Sequence, residues 1–217
     1  MSLATINQNI VQEDKIGGSI KVFEGRAWIL TGGFEFELAD LPDNGNVLPQ
    51  GTPVNCDEET RKMKPSYTFA IFEKSEASAT TYKIKKGLNG SLVKKGAALM
   101  VAPETVATKG TAVTVSDVDY TNEAYDVITV SATLGELAEG AILVEASTAG
   151  ADATVKVIPN ALLDRDVRKH PNAKQVNADG VFNCEAPVLE RRIPPIPDAF
   201  KKALVEGGCY VRFSKRK

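Results

Sequence analysis

The chain carries three cysteines and one histidine in 217 residues. Cys56, Cys184 and Cys209 are odd in number, widely spaced and without a CxxC pair. A chain of this length needs no disulfide framework, and buried, reduced thiols are the expectation. His170 is the single histidine and sits in a loop-like KHPN context, so a Ser/His/Asp triad or a His-based metal site would have to be built on it alone. A surface histidine is expected there instead. No GxGxxG and no GxxxxGK[ST] occurs, which removes the usual support for nucleotide-phosphate chemistry. No stretch approaches the roughly 18 apolar residues of a membrane span, and MSLATINQNIVQEDKIGG lacks the basic start and apolar run of a secretion signal. A soluble protein made in the cytoplasm is expected, with no membrane partner. The net charge of −2 argues against nucleic-acid binding by the bulk surface, and only the tail RFSKRK is locally basic. Aromatic residues make up 6% of the chain, thin material for a platform that stacks sugars or bases.

What is present in quantity is strand. Residues 66 to 157 contain SYTFAIF, ATTYKIKKG, SLVKKGAALMV, GTAVTVSDVDY, AYDVITVS, GAILVEA and ATVKVIP. These short segments are rich in Val, Ile, Thr, Tyr and Phe and are separated by Gly, Asn, Ser, Asp and Lys, the signature of an all-β unit. Three pieces are alike: Leu48/Gly51/Val54, Val93/Gly96/Leu99 and Leu137/Gly140/Leu143. Each reads as an apolar anchor, a glycine needing positive φ or close backbone approach, and a strand leading away. The residues between the copies do not match, so the spacing is not read as a repeat.

Residues 1 to 19 read as a polar arm with one weak apolar patch, Ile6, Ile10 and Val11. Residues 20 to 40 give a strand with Ile20 and Val22, a second with Trp28 and Ile29, a Gly32-Gly33 turn, and a third in which Phe34, Phe36 and Leu38 face inward against Glu35 and Glu37. Together they read as a meander with one wet face. TAVTVSDVDY and YDVITVSA flank a TNEA loop, which predicts a hairpin with Tyr120 opposite Tyr125. After residue 158 loops dominate. The one convincing helix spans about 198–206, with Asp198 as N-cap, the stripe Ile196, Phe200, Ala203 and Leu204, and a Gly207-Gly208 stop. CYVRF reads as a closing strand with Tyr210 and Val211 available for packing. The expected fold is mainly β, a compact barrel or sandwich with an N-terminal arm and meander and one short C-terminal helix. The expected division is 1–60, the arm and meander, read as a docking lobe; 61–165, the central barrel or sandwich; and 166–217, the extension that carries the helix.

Candidate chemistry is sparse. Asp117-Val118-Asp119-Tyr120-Thr121 matches the DxDxT nucleophile loop of haloacid-dehalogenase-like phosphatases. That chemistry needs a following helix, a distant lysine and further acidic residues for magnesium, whereas here another strand follows. A polar hairpin end is the reading adopted. The same residues with Asn122, Glu123 and Asp126 offer weak calcium ligands without an EF-hand loop. Asp164 and Asp166 alternate with Arg165, Arg168 and Lys169, a mixed-charge surface rather than paired catalytic carboxylates. No catalytic, cofactor or metal residue is assigned.

The succession TTYKIKKG, VKKGAALMVAP, TAVTVSDVDYTNEAYDVITVSATLG, LAEGAILVEA and KVIPNALLDRDV resembles the β-rich module of head fibre and head decoration proteins of tailed bacteriophages and prophages, particularly of Bacteroidetes-type hosts. RRIPPIPDAFKKALVEGGCYVRF is similar to their closing segment, so the resemblance covers roughly residues 60 to 217. It implies a structural virion protein, not an enzyme, bound to the outer face of the capsid. The implied partners are the major capsid protein and further copies of the chain, with a trimer favoured. No nucleic acid or cofactor is implied, and the family brings no active-site residues. With no heptad run for a stalk, a compact knob is expected, with loops 103 to 110 and 146 to 153 facing solvent. A glycan- or host-binding adhesion module is the alternative, for which Tyr120 and Tyr125 supply the aromatic material.

Overall fold

The computed structural model describes residues 21–30, 33–42, 46–87, 90–170 and 172–215. The arm 1–19, Ile20, Gly32 and the last two residues of the basic tail lie outside these residues. The first part of the chain forms β1 (Ala27–Ile29), β2 (Phe34–Phe36), β3 (Val47–Leu48), β4 (Pro53–Asp57) and β5 (Lys62–Pro65). The middle forms β6 (Thr68–Ala70), β7 (Thr81–Lys85), β8 (Ala98–Val101), β9 (Gly110–Asp119), β10 (Tyr125–Val130), β11 (Ile142–Glu145) and β12 (Gly150–Ala153). The last part forms β13 (Ala161–Leu163), β14 (Val167–Arg168), β15 (Val176–Ala178), β16 (Gly180–Cys184), β17 (Val188–Leu189), helix α1 (Asp198–Glu206) and β18 (Phe213–Ser214). The fold is mainly β with one short helix, as composition and turn spacing imply.

The middle strands make one antiparallel sheet in the order β6-β11-β8-β9-β10-β7, with β12 added on β9. The sheet curls, and its two ends meet at a bridge between Ile71 and Ile84, where the Phe72 N–H donates to Lys83 O at 2.8 Å. Period-2 alternation sets the inner wall: on β10, Asp126, Ile128 and Val130 are buried while Tyr125, Val127 and Thr129 are half-buried. Phe69, Ile71, Tyr82, Ile84, Leu99, Val113, Val115 and Leu143 fill the same interior. Burying each such side chain contributes about 1.5–3 kcal/mol.

Both ends of the chain build a second seven-stranded sheet, β1-β16-β13-β4-β5-β2-β15. One face carries Phe34, Phe36, Val54 and Met63 and shares its core with the curled sheet. A second core joins Leu162 and Val181 of this sheet to Met100 and Val144 of the curled sheet and to Phe200 and Leu204 of α1. The pairing differs from the division expected at residues 60 and 165. Strand β5 pairs with β4 across the first boundary, while β13 pairs with β4 and with β16, which lies beyond the second. The curled sheet is thus an insertion within a sheet that the flanking segments share. Strands β1 and β2 do not pair as a meander, since five positions in the strand order separate them. Val22 is no strand residue; it is buried, and its N–H donates to Gln50 Oε1 at 3.3 Å.

The three similar pieces share one geometry. Thr52, Ala97 and Ala141 donate N–H bonds to the carbonyls of Pro49, Lys94 and Ala138, closing four-residue turns with glycine third. Gly51, Gly96 and Gly140 have φ of +80°, +86° and +78°, as a type II turn requires. Their own N–H groups donate to Leu163, Val115 and Ile71 carbonyls on neighbouring segments, and β4, β8 and β11 start two residues later. All six flanking apolar anchors are buried.

Helix α1 follows its sequence stripe: Ile196, Phe200, Ala203 and Leu204 are buried. Cys209 N–H donates to Leu204 O at 2.7 Å, and Gly208 has φ +84°, which closes the C-terminus. Asp198 does not cap the N-terminus. It is the first helical residue, and its carboxylate takes Lys201 at 3.1 Å, which holds it below the usual carboxylate range.

Candidate functional site

The residues singled out from the sequence do not converge on a cleft. Asp117 is exposed and meets Lys95 Nζ at 3.1 Å. Asp119 Oδ1 accepts the Thr121 N–H at 2.9 Å, and the bonds from Thr121 hold its pKa below the usual carboxylate range. The DxDxT match is therefore a self-bonded hairpin end. Asp164 and Asp166 are more than surface charge: Asp166 Oδ1 accepts the Gln50 N–H at 2.7 Å, and Asp164 Oδ1 accepts the Asp179 N–H at 3.0 Å. They tie loops to the shared sheet, and burial pushes Asp164 up from its ordinary value. His170 is exposed. Among the described residues no group of three His, Cys, Asp or Glu is placed to hold a metal ion.

The hairpin register also differs from the one expected. Val127 pairs with Asp119, which puts Tyr120 across from Asp126 and takes Tyr125 to the other side of the sheet. Tyr120 donates its hydroxyl to Val93 O at 2.7 Å, whereas the Tyr125 ring lies 5.0 Å from that of Phe72. The two tyrosines form no common platform.

At this hairpin end Asp126 is fully buried, with Oδ1 2.8 Å from Lys86 Nζ. The ammonium also donates to Tyr120 O at 2.8 Å and to Asn122 O at 2.5 Å. Of the residues the sequence offered for calcium, Asp126 and the Tyr120 and Asn122 carbonyls surround the Lys86 ammonium, while Asp117 and Asp119 are engaged elsewhere. Lys86 meets Asp126 as an ion pair, and neither Asp126 oxygen has a hydrogen-bond partner among the described residues.

A shallow groove of about 170 Å³ lies between the two sheets, lined by Asp40, Lys64, Tyr67, Lys94, Glu145 and Lys156. Most of its polar groups serve the joint: Tyr67 donates to Asp40 O at 2.7 Å, Lys94 to Leu41 O at 2.7 Å, and Lys156 meets Glu145 at 3.1 Å.

The surface with the chemistry of recognition lies elsewhere, on the shared sheet. Trp28 of β1 is the register partner of Asn183 on β16, and Asn183 bridges to Tyr210 on its other side. Register partners point to one face, so an indole, an amide and a phenol stand in a row across β1, β16 and the bridged Tyr210. All three are exposed, Trp28 at 41% and Tyr210 at 65%. The Arg26 guanidinium lies 5.6 Å from the Trp28 ring centroid, and Glu185 Oε2 accepts the Arg26 N–H at 3.0 Å. The sequence offers both Tyr210 and Val211 for packing. Val211 is buried as expected, and Tyr210, bridged to Asn183, is exposed. Nothing local marks this row, because its members come from residues 28, 183 and 210 and meet only through strand pairing. No family model, curated protein or solved structure matches the chain.

The three thiols are buried and free. Burial pushes Cys56 and Cys209 up to about 12, and the neighbouring Cys209 adds to the shift of Cys56. Both groups hold their protons more tightly folded than unfolded. Their contribution is therefore complete below the unfolded value near 8.5 and is lost as pH rises toward 12, by about 1.4 kcal/mol per pH unit for each thiol. Urea unfolding between pH 8 and 10.5 should show this slope, and a Cys56→Ala/Cys209→Ala variant should flatten it.

Proposed function

We propose that the protein is a structural virion component that decorates the outer face of a tailed-phage capsid, binding the major capsid protein through the Trp28–Asn183–Tyr210 face. The observation that carries this is the residue chemistry of that face. Trp, Tyr and Arg are the types that dominate binding energy at protein interfaces, and here they stand exposed on a rigid sheet, with no other element of the described chain over them. The face includes β1, within the lobe expected to dock. Carboxylates and lysines that would serve acid–base chemistry are engaged in holding turns and sheets, which suits a scaffold. Residues 147–152, which run into β12, are exposed and Lys109 lies 3.9 Å from Asp152, so the two segments expected to face solvent lie side by side. The glycan-adhesion alternative drew on Tyr120 and Tyr125, which the hairpin register separates.

Electron cryo-microscopy of the particle that carries the protein tests the reading. Compact knobs on the outer shell, with the shared sheet turned toward the capsid, are expected. Particles with a smooth shell, or with the chain inside it, would contradict it.

A further inference from the structure

The shared sheet ends in two unlike edges. At β15 one edge carbonyl takes a side chain, since Arg165 Nη2 donates to Asn177 O at 3.0 Å. β1 is three residues long with a register irregularity between Trp28 and Ile29; no strand pairs with its outer edge among the described residues, and both side chains are exposed there. An open strand edge offers backbone groups to another extended chain, and native proteins ordinarily blunt it with charge or cover.

We propose that β1 pairs antiparallel with β1 of a second copy about a two-fold axis at Trp28. The sequence is self-complementary in that register. Trp28 meets its equivalent, Ala27 faces Ile29, and Arg26 faces Leu30, so no like charges stand opposite one another. The pairing makes one continuous band of Tyr210, Asn183 and Trp28 followed by the same three residues of the second copy. It therefore doubles the face that the capsid reading uses. In purpose the inference rests on that reading, but the contact exists or fails in the isolated chain. It is a two-fold contact, where the family resemblance implies a three-fold one.

The chain has a single tryptophan, so its fluorescence reports this edge alone. Purified full-length protein should shift from monomer to dimer mass in sedimentation between about 10 μM and 1 mM, the range of a small interface, with tryptophan emission moving to shorter wavelength in step. Trp28→Glu and Trp28→Arg should each remain monomeric with unchanged circular dichroism, since like charges then meet at the axis. Their equimolar mixture should regain the dimer. A wild-type chain that stays monomeric at 1 mM, or variants that each dimerise like wild type, would overturn the proposal. A trimer would overturn it too, while leaving the capsid reading standing. A dimer without affinity for capsids would support it and count against that reading.

Discussion

Replacing Lys86 by methionine should destabilise the protein by about 3–5 kcal/mol, because it leaves the fully buried Asp126 carboxylate without its cation. In a chain of this size that lowers the melting temperature by about 10 °C. The cost comes from orphaning a charge, so removing both partners should recover most of it. Lys86→Met/Asp126→Leu is expected to melt within a few degrees of wild type, since a well-packed apolar pair can replace a buried ion pair at little loss. The same geometry sets a cation test. Calcium at millimolar concentration should not shift the melting of wild type, in which the ammonium already holds the Tyr120 and Asn122 carbonyls. In Lys86→Ala, methylammonium should restore part of the lost stability. Equal melting of wild type and Lys86→Met would show that the ammonium does not hold this end of the curled sheet.

Gly51→Ala should be the most damaging of the turn substitutions, by about 3 kcal/mol or more. An added Cβ would sit 2.3 Å from Ile193 Cγ2 and 3.1 Å from Val22 Cγ1, and φ there is +80°. Left-handed backbone costs a non-glycine residue about 1–2 kcal/mol, and forcing a methyl into a packed site adds a similar amount. Gly140→Ala separates the two terms. Its φ is +78° but nothing lies within 4 Å of the new Cβ, so only the backbone cost of about 1–2 kcal/mol is expected. Urea midpoints of the two variants measure the difference. Equal losses would mean that Ile193 yields freely.

These two positions show what the sequence makes legible. Turn chemistry is local: a glycine three residues from an apolar anchor on each side specifies the turn and the strand that follows, and all three copies fold that way. The helix is legible for the same reason, since its stripe and its glycine stop lie within a dozen residues. Strand pairing is not local. Periodicity says that Trp28 and Phe36 sit on strands, but it does not say that one strand pairs with residues near 183 and the other with residues near 177. Hence periodicity alone makes β1 and β2 neighbours, and the Trp28–Asn183–Tyr210 row, assembled across most of the chain's length, leaves no trace in any window. The hairpin register failed by one residue for a related reason. Asp126 points inward because Lys86, forty positions away, neutralises it, while a pattern reader expects a carboxylate to face water.

The work proposed for this chain is to hold its Trp28–Asn183–Tyr210 face against a capsid. Co-sedimentation of the purified protein with capsids that lack it measures this directly. Wild type should pellet with the capsids at saturable stoichiometry, and Trp28→Ser and Tyr210→Ser should each weaken binding about tenfold or more while melting normally. Wild-type protein that stays in the supernatant, or variants that pellet as well as wild type, would contradict it.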